Sequence, residues 1–163
     1  MSSVIGFPNP VNEKAARSVA AGVLLIAVVA VAGQWLWLTA LLAAGFALRV
    51  LSGPTLSPLG QLATRVIAPR LGHPKLVPGP PKRFAQTIGL VVTGGAALAW
   101  FAFGSALIAS LFLALIIVAA ALESIGGLCL GCVAFGYLMR AGVIPADTCQ
   151  ACNDISLRYR QTA

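Results

Sequence analysis

The sequence predicts an all-α membrane protein, with four transmembrane helices built as two parallel-repeat helical hairpins and an interfacial amphipathic helix after each. Three observations carry that prediction. Of 163 residues, 59% are hydrophobic and only 9% are charged, where a soluble domain carries about 25% charged residues. The apolar residues gather into four stretches near the roughly 20 residues that a helix needs to cross a bilayer. The eleven Lys and Arg, set against four Asp and Glu, avoid the two short turns inside the hairpins. Four spans leave no room for an independent soluble catalytic domain. The basic residues neither alternate with aromatics nor line a helix, so a net charge of +7 points to a membrane and not to nucleic acid.

Residues 1–17 are polar and Pro-containing, with Lys14 and Arg17 at their end. A cleavable signal peptide would place its basic residues and apolar core at the very start, so this segment is expected to be a retained cytoplasmic one. Asn9-Pro10 followed by Asn12 and Glu13 offers helix-cap chemistry. The first hairpin, residues 18–51, has apolar stretches at 18–33 and 35–51 about Gly33-Gln34. Trp35 and Trp37 sit at its turn, where indole rings favour the headgroup level.

Residues 52–82 form the central loop. Ser57 is placed as an N-cap with Pro58 at the first helical position. Leu59, Leu62, Val66 and Ile67 fall on one face, and Gln61, Thr64 and Arg65 on another, which predicts an interfacial helix ending near Pro69. Pro74, Pro78, Pro80 and Pro81 then predict a stiff extended connector, whose basic neighbours suit an anionic inner leaflet. The second hairpin, residues 83–124, repeats the design, with stretches at 84–103 and 106–122 about Gly104-Ser105 and Trp100 near the turn. Residues 125–144 are the cysteine-bearing interfacial helix, and residues 145–163 a cytoplasmic tail with a second CxxC. A fifth span over 128–144 is the alternative, disfavoured by Arg140, by Gly131, Gly136 and Gly142, and by its shortness.

Orientation follows from the basic residues. Lys14 and Arg17 precede the first span. Arg49, Arg65, Arg70, Lys75, Lys82 and Arg83 lie at or between the second and third, and Arg140, Arg158 and Arg160 follow the fourth. Short basic loops stay in the cytoplasm, so both termini and the central loop are expected there. Segments 14–60 and 82–131 follow one plan, which implies a pseudo-twofold axis along the membrane normal.

The chemistry-bearing residues are two CxxC pairs on that expected cytoplasmic side: Cys129-Leu-Gly-Cys132 and Cys149-Gln-Ala-Cys152, with sixteen residues between Cys132 and Cys149. Three readings stay open. The spacing matches a four-cysteine zinc site formed by Cys129, Cys132, Cys149 and Cys152. A dithiol relay is the second, with Cys129 and Cys132 at a helix N-terminus that stabilises thiolate. In the third, Cys129 and Cys132 are small buried residues at a helix contact. Glu123, the only acid near a span, is expected to reach water or pair with Arg49. His73 reads as a loop residue, and the glycines of the hairpins as close-contact positions between membrane helices. No Ser-His-Asp set, phosphate-binding Gly-rich loop or paired His is present.

Several segments resemble a bacterial integral-membrane family of unknown function, common in actinobacteria. They are Phe7-Pro8-Asn9-Pro10-Val11-Asn12-Glu13, Ala68-Pro69-Arg70-Leu71-Gly72, Lys82-Arg83-Phe84-Ala85-Gln86 with Gly89, and above all Leu128-Cys129-Leu130-Gly131-Cys132. The resemblance implies a place in the bacterial cytoplasmic membrane and a thiol or sulfur context, with thioredoxin-like or sulfurtransferase proteins as partners. It supplies no established activity. It also implies that Cys149 and Cys152 are not shared by the whole family, which favours redox or sulfur chemistry at Cys129 and Cys132 over a common zinc site. The leading expectation is therefore a thiol-bearing partner in membrane-associated sulfur or disulfide metabolism. A zinc-tethered scaffold that docks cytoplasmic partners, and a small sulfur-compound transporter, are the rivals. Association of copies into a homo-oligomer stays open.

Overall fold

In the computed structural model, which describes residues 6–149 and Cys152, the first long helix starts where the sequence offers a cap. The Asn12 side chain accepts the Lys14 backbone N–H at 3.0 Å, satisfying one of the donors that a helix start leaves unpaired. Helix α1 (Glu13–Ala32) therefore begins before its apolar stretch does. It ends at Gly33, and Gln34 turns the chain with φ 53°. Trp35 and Trp37 stand exposed at that turn, and α2 (Leu38–Ser52) runs back.

The predicted loop helix forms. Ser57 caps α3 (Pro58–Leu62) through the Gly60 N–H. The helix then widens into a π turn (Ala63–Ile67) and closes as α4 (Ala68–Arg70). Proline lacks an N–H and its ring crowds the carbonyl one turn back, and the π turn opens the helix at that place, so the segment continues past Pro69. Gly60, Ala63 and Ala68 are the buried positions, while Leu62 and Val66 are exposed. Small residues win the inner face because they let the segment lie close on α1, where Leu59 fills the space beside Gly22.

The extended connector is shorter than predicted. A two-residue strand, β2 (Leu76–Val77), pairs antiparallel with β1 (Val11–Asn12). Pro80 and Pro81 belong to the first turn of α5 (Gly79–Phe101), where a missing N–H costs nothing. The Gly79 N–H donates to Asn9 Oδ1 at 3.0 Å. After Gly104 (φ 62°), Ser105 caps α6 (Ala106–Gly126) by accepting the Ile108 N–H. Gly127, left-handed at φ 67°, ends α6, and α7 (Leu130–Arg140) follows. A 3-10 turn (Ala146–Cys149) comes last.

The described residues are thus mostly helical. Helices α1, α5 and α6 are long and apolar enough to cross a membrane. Helix α2 has 15 residues and α7 has 11, so α7 rises about 16 Å, roughly half the hydrocarbon thickness. α1 packs chiefly on α6, α2 on α5, and α5 also on α6. The core is made of Val23, Ala27 and Ala30 of α1, Leu42 and Phe46 of α2, and Leu113 and Ile116 of α6. Large apolar side chains also cover the outside: Leu25, Val91, Leu107 and Leu111 are each more than half exposed. An outer surface of that kind suits acyl chains and not water. Of the tail, Arg158 and Arg160 lie outside the described residues.

Candidate thiol site at the charged end of the bundle

The start of α1 and the end of α6 are tied together by a cation at a helix C-terminus. Arg17 Nε and Nη2 donate to the Ser124 carbonyl at 3.3 and 3.1 Å, and Nη2 also to that of Ile125 at 3.0 Å. These carbonyls have no partner inside the helix. The bonds set the angle at which the chain leaves Gly127 for α7. Its N-cap is Cys129, whose Sγ accepts the Cys132 backbone N–H at 3.4 Å, at the helix start where the sequence placed the pair. The Cys132 thiol donates to the same sulfur at 2.7 Å, a little longer than a disulfide bond. Both cysteines are free thiols, Cys129 buried and Cys132 half-buried.

The two thiols differ electrostatically. The hydrogen bond from the Cys132 thiol holds Cys129 below the usual thiol range, outweighing the opposite effect of burial. Lys82 assists and Glu123 opposes. The same bond, followed by burial, pushes Cys132 up. Of the two thiols, Cys129 is the one that ionises first, with Cys132 as the hydrogen-bond donor to its sulfur.

Glu123 finds a partner other than the expected one. Lys82 Nζ donates to Glu123 Oε1 at 2.6 Å, with side-chain exposures of 8% and 17%. Arg49 turns away. Its Nε donates to Gln86 Oε1 at 2.8 Å, Nη1 reaches Ser57 Oγ at 3.3 Å, and the guanidinium lies 4.5 Å from the centre of the Phe46 ring. Arg49 Nη2 has no hydrogen-bond partner among the described residues. Two charges both more than four-fifths buried need direct contact, and Lys82 in the first turn of α5 stands opposite the last turns of α6. Sequence reading missed Lys82 and Gln86 as members of this site. The available signal was a Lys at the start of a span, close enough to its interior to need an acid.

Cys129, Cys132, Lys82, Lys75, Glu13 and Arg140 line a cavity of about 590 Å³, and Cys152 lines it as well. Cys152 is joined to Cys149 in a disulfide with its Cα atoms 5.3 Å apart. The second CxxC is therefore brought to the first, but as a closed pair. Among the described residues no three His, Cys, Asp or Glu side chains group as a metal ligand set. His73 is exposed in the loop between α4 and β2.

A family model described as Domain of unknown function (DUF4395) matches residues 11–140. The chain belongs to this family. The match takes in every helix from α1 to α7, with Cys129, Cys132, Lys82, Gln86 and Glu123, and it stops before Cys149 and Cys152. No curated protein and no solved structure matches the chain.

Proposed function

We propose that this DUF4395 chain is a four-span protein of the bacterial cytoplasmic membrane that exchanges two electrons with soluble thiol partners through Cys129 and Cys132. The charged end of the bundle faces the cytoplasm. Four spans count α2 with its flanking Trp35–Trp37 turn, because α2 lies along α5 as α1 lies along α6. Exchanging α1 with α5 and α2 with α6 relates those two packings. The same exchange relates the seat of the α3–π–α4 segment on α1 to that of α7 on α5, which supports two hairpins in parallel repeat.

The single observation that carries the reading is the Cys129–Cys132 sulfur pair at 2.7 Å on a helix N-terminus, facing the cavity that the Cys149–Cys152 disulfide also borders. The Cys129 thiolate attacks one sulfur of a partner's disulfide. That bond breaks, a mixed disulfide forms, and the first partner thiolate leaves and takes a proton. Cys132, deprotonated, then attacks Cys129 Sγ and releases the second partner thiolate, so two electrons pass to the partner and Cys129–Cys132 closes. The reverse sequence, with a partner dithiol, reopens it. The Cys149–Cys152 disulfide, which borders the same cavity, is the second redox pair: by the same two-step exchange it takes the two electrons of the Cys129–Cys132 dithiol, opening as that pair closes.

The test uses detergent-purified protein carrying Cys149→Ser/Cys152→Ser and a chromogenic aromatic disulfide. Two equivalents of chromophore per protein are expected, with a closed Cys129–Cys132 bond. Cys132→Ser in that background should release one equivalent and stall as a mixed disulfide on Cys129. Near-stoichiometric zinc with unreactive thiols in the four-cysteine protein would overturn the reading and support a scaffold.

A further inference from the structure

Cys129 also borders a second cavity. This one measures about 450 Å³, within the range of small-molecule sites, and lies among α1, α5, α6 and α7 with Phe46 of α2. Ala16, Val23, Val92 and Ala119 are representative of its walls, and its polar lining is confined to Gln86, Glu123 and Cys129 at the charged end of the bundle. One cysteine thus borders both a charged cavity and an apolar one.

Three features select the occupant. The apolar cavity is bordered by Ile88, Leu115 and Val118, which are 39%, 60% and 56% exposed. On membrane helices such side chains face lipid, so the opening admits a lipid-soluble molecule. Gln86 Oε1 is held by Arg49 Nε at 2.8 Å, and this fixes the amide. Its Nε2, which has no hydrogen-bond partner among the described residues, is left as the donor available to the cavity. The reactive group at the polar end is a buried thiol in contact with a second thiol. An apolar ring with a carbonyl acceptor, able to take two electrons from a dithiol, satisfies all three.

We propose that this cavity is the site of a lipid-soluble quinone that oxidises the Cys129–Cys132 dithiol, an inference that rests on the dithiol reading above. The Cys129 thiolate adds to a ring carbon of the quinone, forming a carbon–sulfur bond and placing the electron pair on the ring oxygen. Cys132, deprotonated, attacks Cys129 Sγ. The sulfur–sulfur bond forms, the carbon–sulfur bond breaks, and its electron pair stays on the ring. The two thiol protons end on the two oxygens of the quinol. The balance is dithiol plus quinone to disulfide plus quinol. The soluble exchange then runs toward oxidation of a partner dithiol, with the membrane pool as electron sink.

The experiment mixes reduced full-length protein carrying Cys149→Ser/Cys152→Ser, without oxygen, with a fully ring-substituted short-tailed benzoquinone, whose substituents prevent a stable thiol adduct. One quinol and one Cys129–Cys132 disulfide per protein are expected, read by absorbance and by thiol counting. Ala119→Phe and Ala16→Phe, which fill the cavity from two different helices, should each slow quinol formation at least tenfold. Both should leave the rate with the water-soluble aromatic disulfide within twofold, which also shows that the variants are folded. Gln86→Leu should raise the KM for quinone severalfold. Exchange with the aromatic disulfide but no quinol overturns this inference and leaves the dithiol reading standing. Failure of both reactions overturns both. Quinol formation indifferent to both Phe substitutions overturns the cavity as the site.

Discussion

Replacing Gly131 by Ala tests whether α7 is seated on α5 as the structure has it. A Cβ built on Gly131 falls 2.5 Å from Ala85 Cβ and 2.6 Å from Ala85 Cα, where carbon atoms prefer about 3.5–4.0 Å. Backbone cannot swing aside as a long side chain can, so α7 must retreat by about 1 Å. Overpacking of this kind costs about 1–3 kcal/mol. Gly→Ala inside a helix also gains close to 1 kcal/mol in intrinsic propensity. Gly136→Ala on the same helix isolates that gain, because a Cβ there meets nothing within 4 Å. The difference between the two variants is therefore the overpacking term alone. With roughly 2–4 °C of Tm per kcal/mol for a chain of this size, Gly131→Ala should unfold about 2–12 °C below Gly136→Ala when both are melted in the same detergent. Its Cys132 should also alkylate faster, since the first turn of α7 no longer lies flat on α5. Equal melting temperatures, or a more stable Gly131→Ala, would refute the close approach and with it the position assigned to the thiol pair.

Lys82→Met leaves Glu123 buried without its cation and should cost about 3–5 kcal/mol; Lys82→Met/Glu123→Leu should recover most of that loss in denaturant unfolding, and a double variant no more stable than the single one contradicts the ion pair. The hydrogen bond from the Cys132 thiol lowers the Cys129 pKa, so more thiolate is present at neutral pH and alkylation of Cys129 should plateau at lower pH than for an ordinary thiol. Cys132→Ala removes the donor and should move that plateau to higher pH, whereas Cys132→Ser keeps a donor and should move it less; identical profiles would show that the bond does not set the pKa. In a background with all four cysteines changed to Ser, Trp37→Cys should react in intact cells with a membrane-impermeant maleimide and Lys75→Cys only after permeabilisation. The opposite labelling would invert the proposed orientation.

Much of the fold is legible in the sequence because membrane helices are written locally. Low charge, long apolar runs and the caps at Asn12 and Ser57 each act within a turn or two, and each holds in the structure; the caps at Ser105 and Cys129 are equally local but were not read from the sequence. The placement of Cys129 and Cys132 at the start of α7 was readable for the same reason. What was misread depended on depth and on contact across the bundle. Which residues of the loop helix lie against the bundle was not legible: the tightness of the contact with α1 selects Gly60, Ala63 and Ala68, and leaves Leu62 and Val66 exposed on the outside, where an interfacial helix turns its apolar face to lipid. The prolines before α5 looked extended because composition does not distinguish a connector from a helix's first turn, where proline is at home.

The ion pairing shows the division most sharply. By itself the sequence determines that this is an apolar, helical, basic-ended chain with a CxxC at a helix start, since those properties follow from residue type and spacing. Only the tertiary structure decides that Glu123 meets Lys82 and not Arg49, that Arg49 holds Gln86, and that Cys129 borders both a charged cavity and an apolar one. Those choices are made by which helices touch and at what height along the bundle. A buried charge takes the nearest partner in space, and the relevant neighbours are 37 and 41 residues apart in the chain, where no local pattern links them.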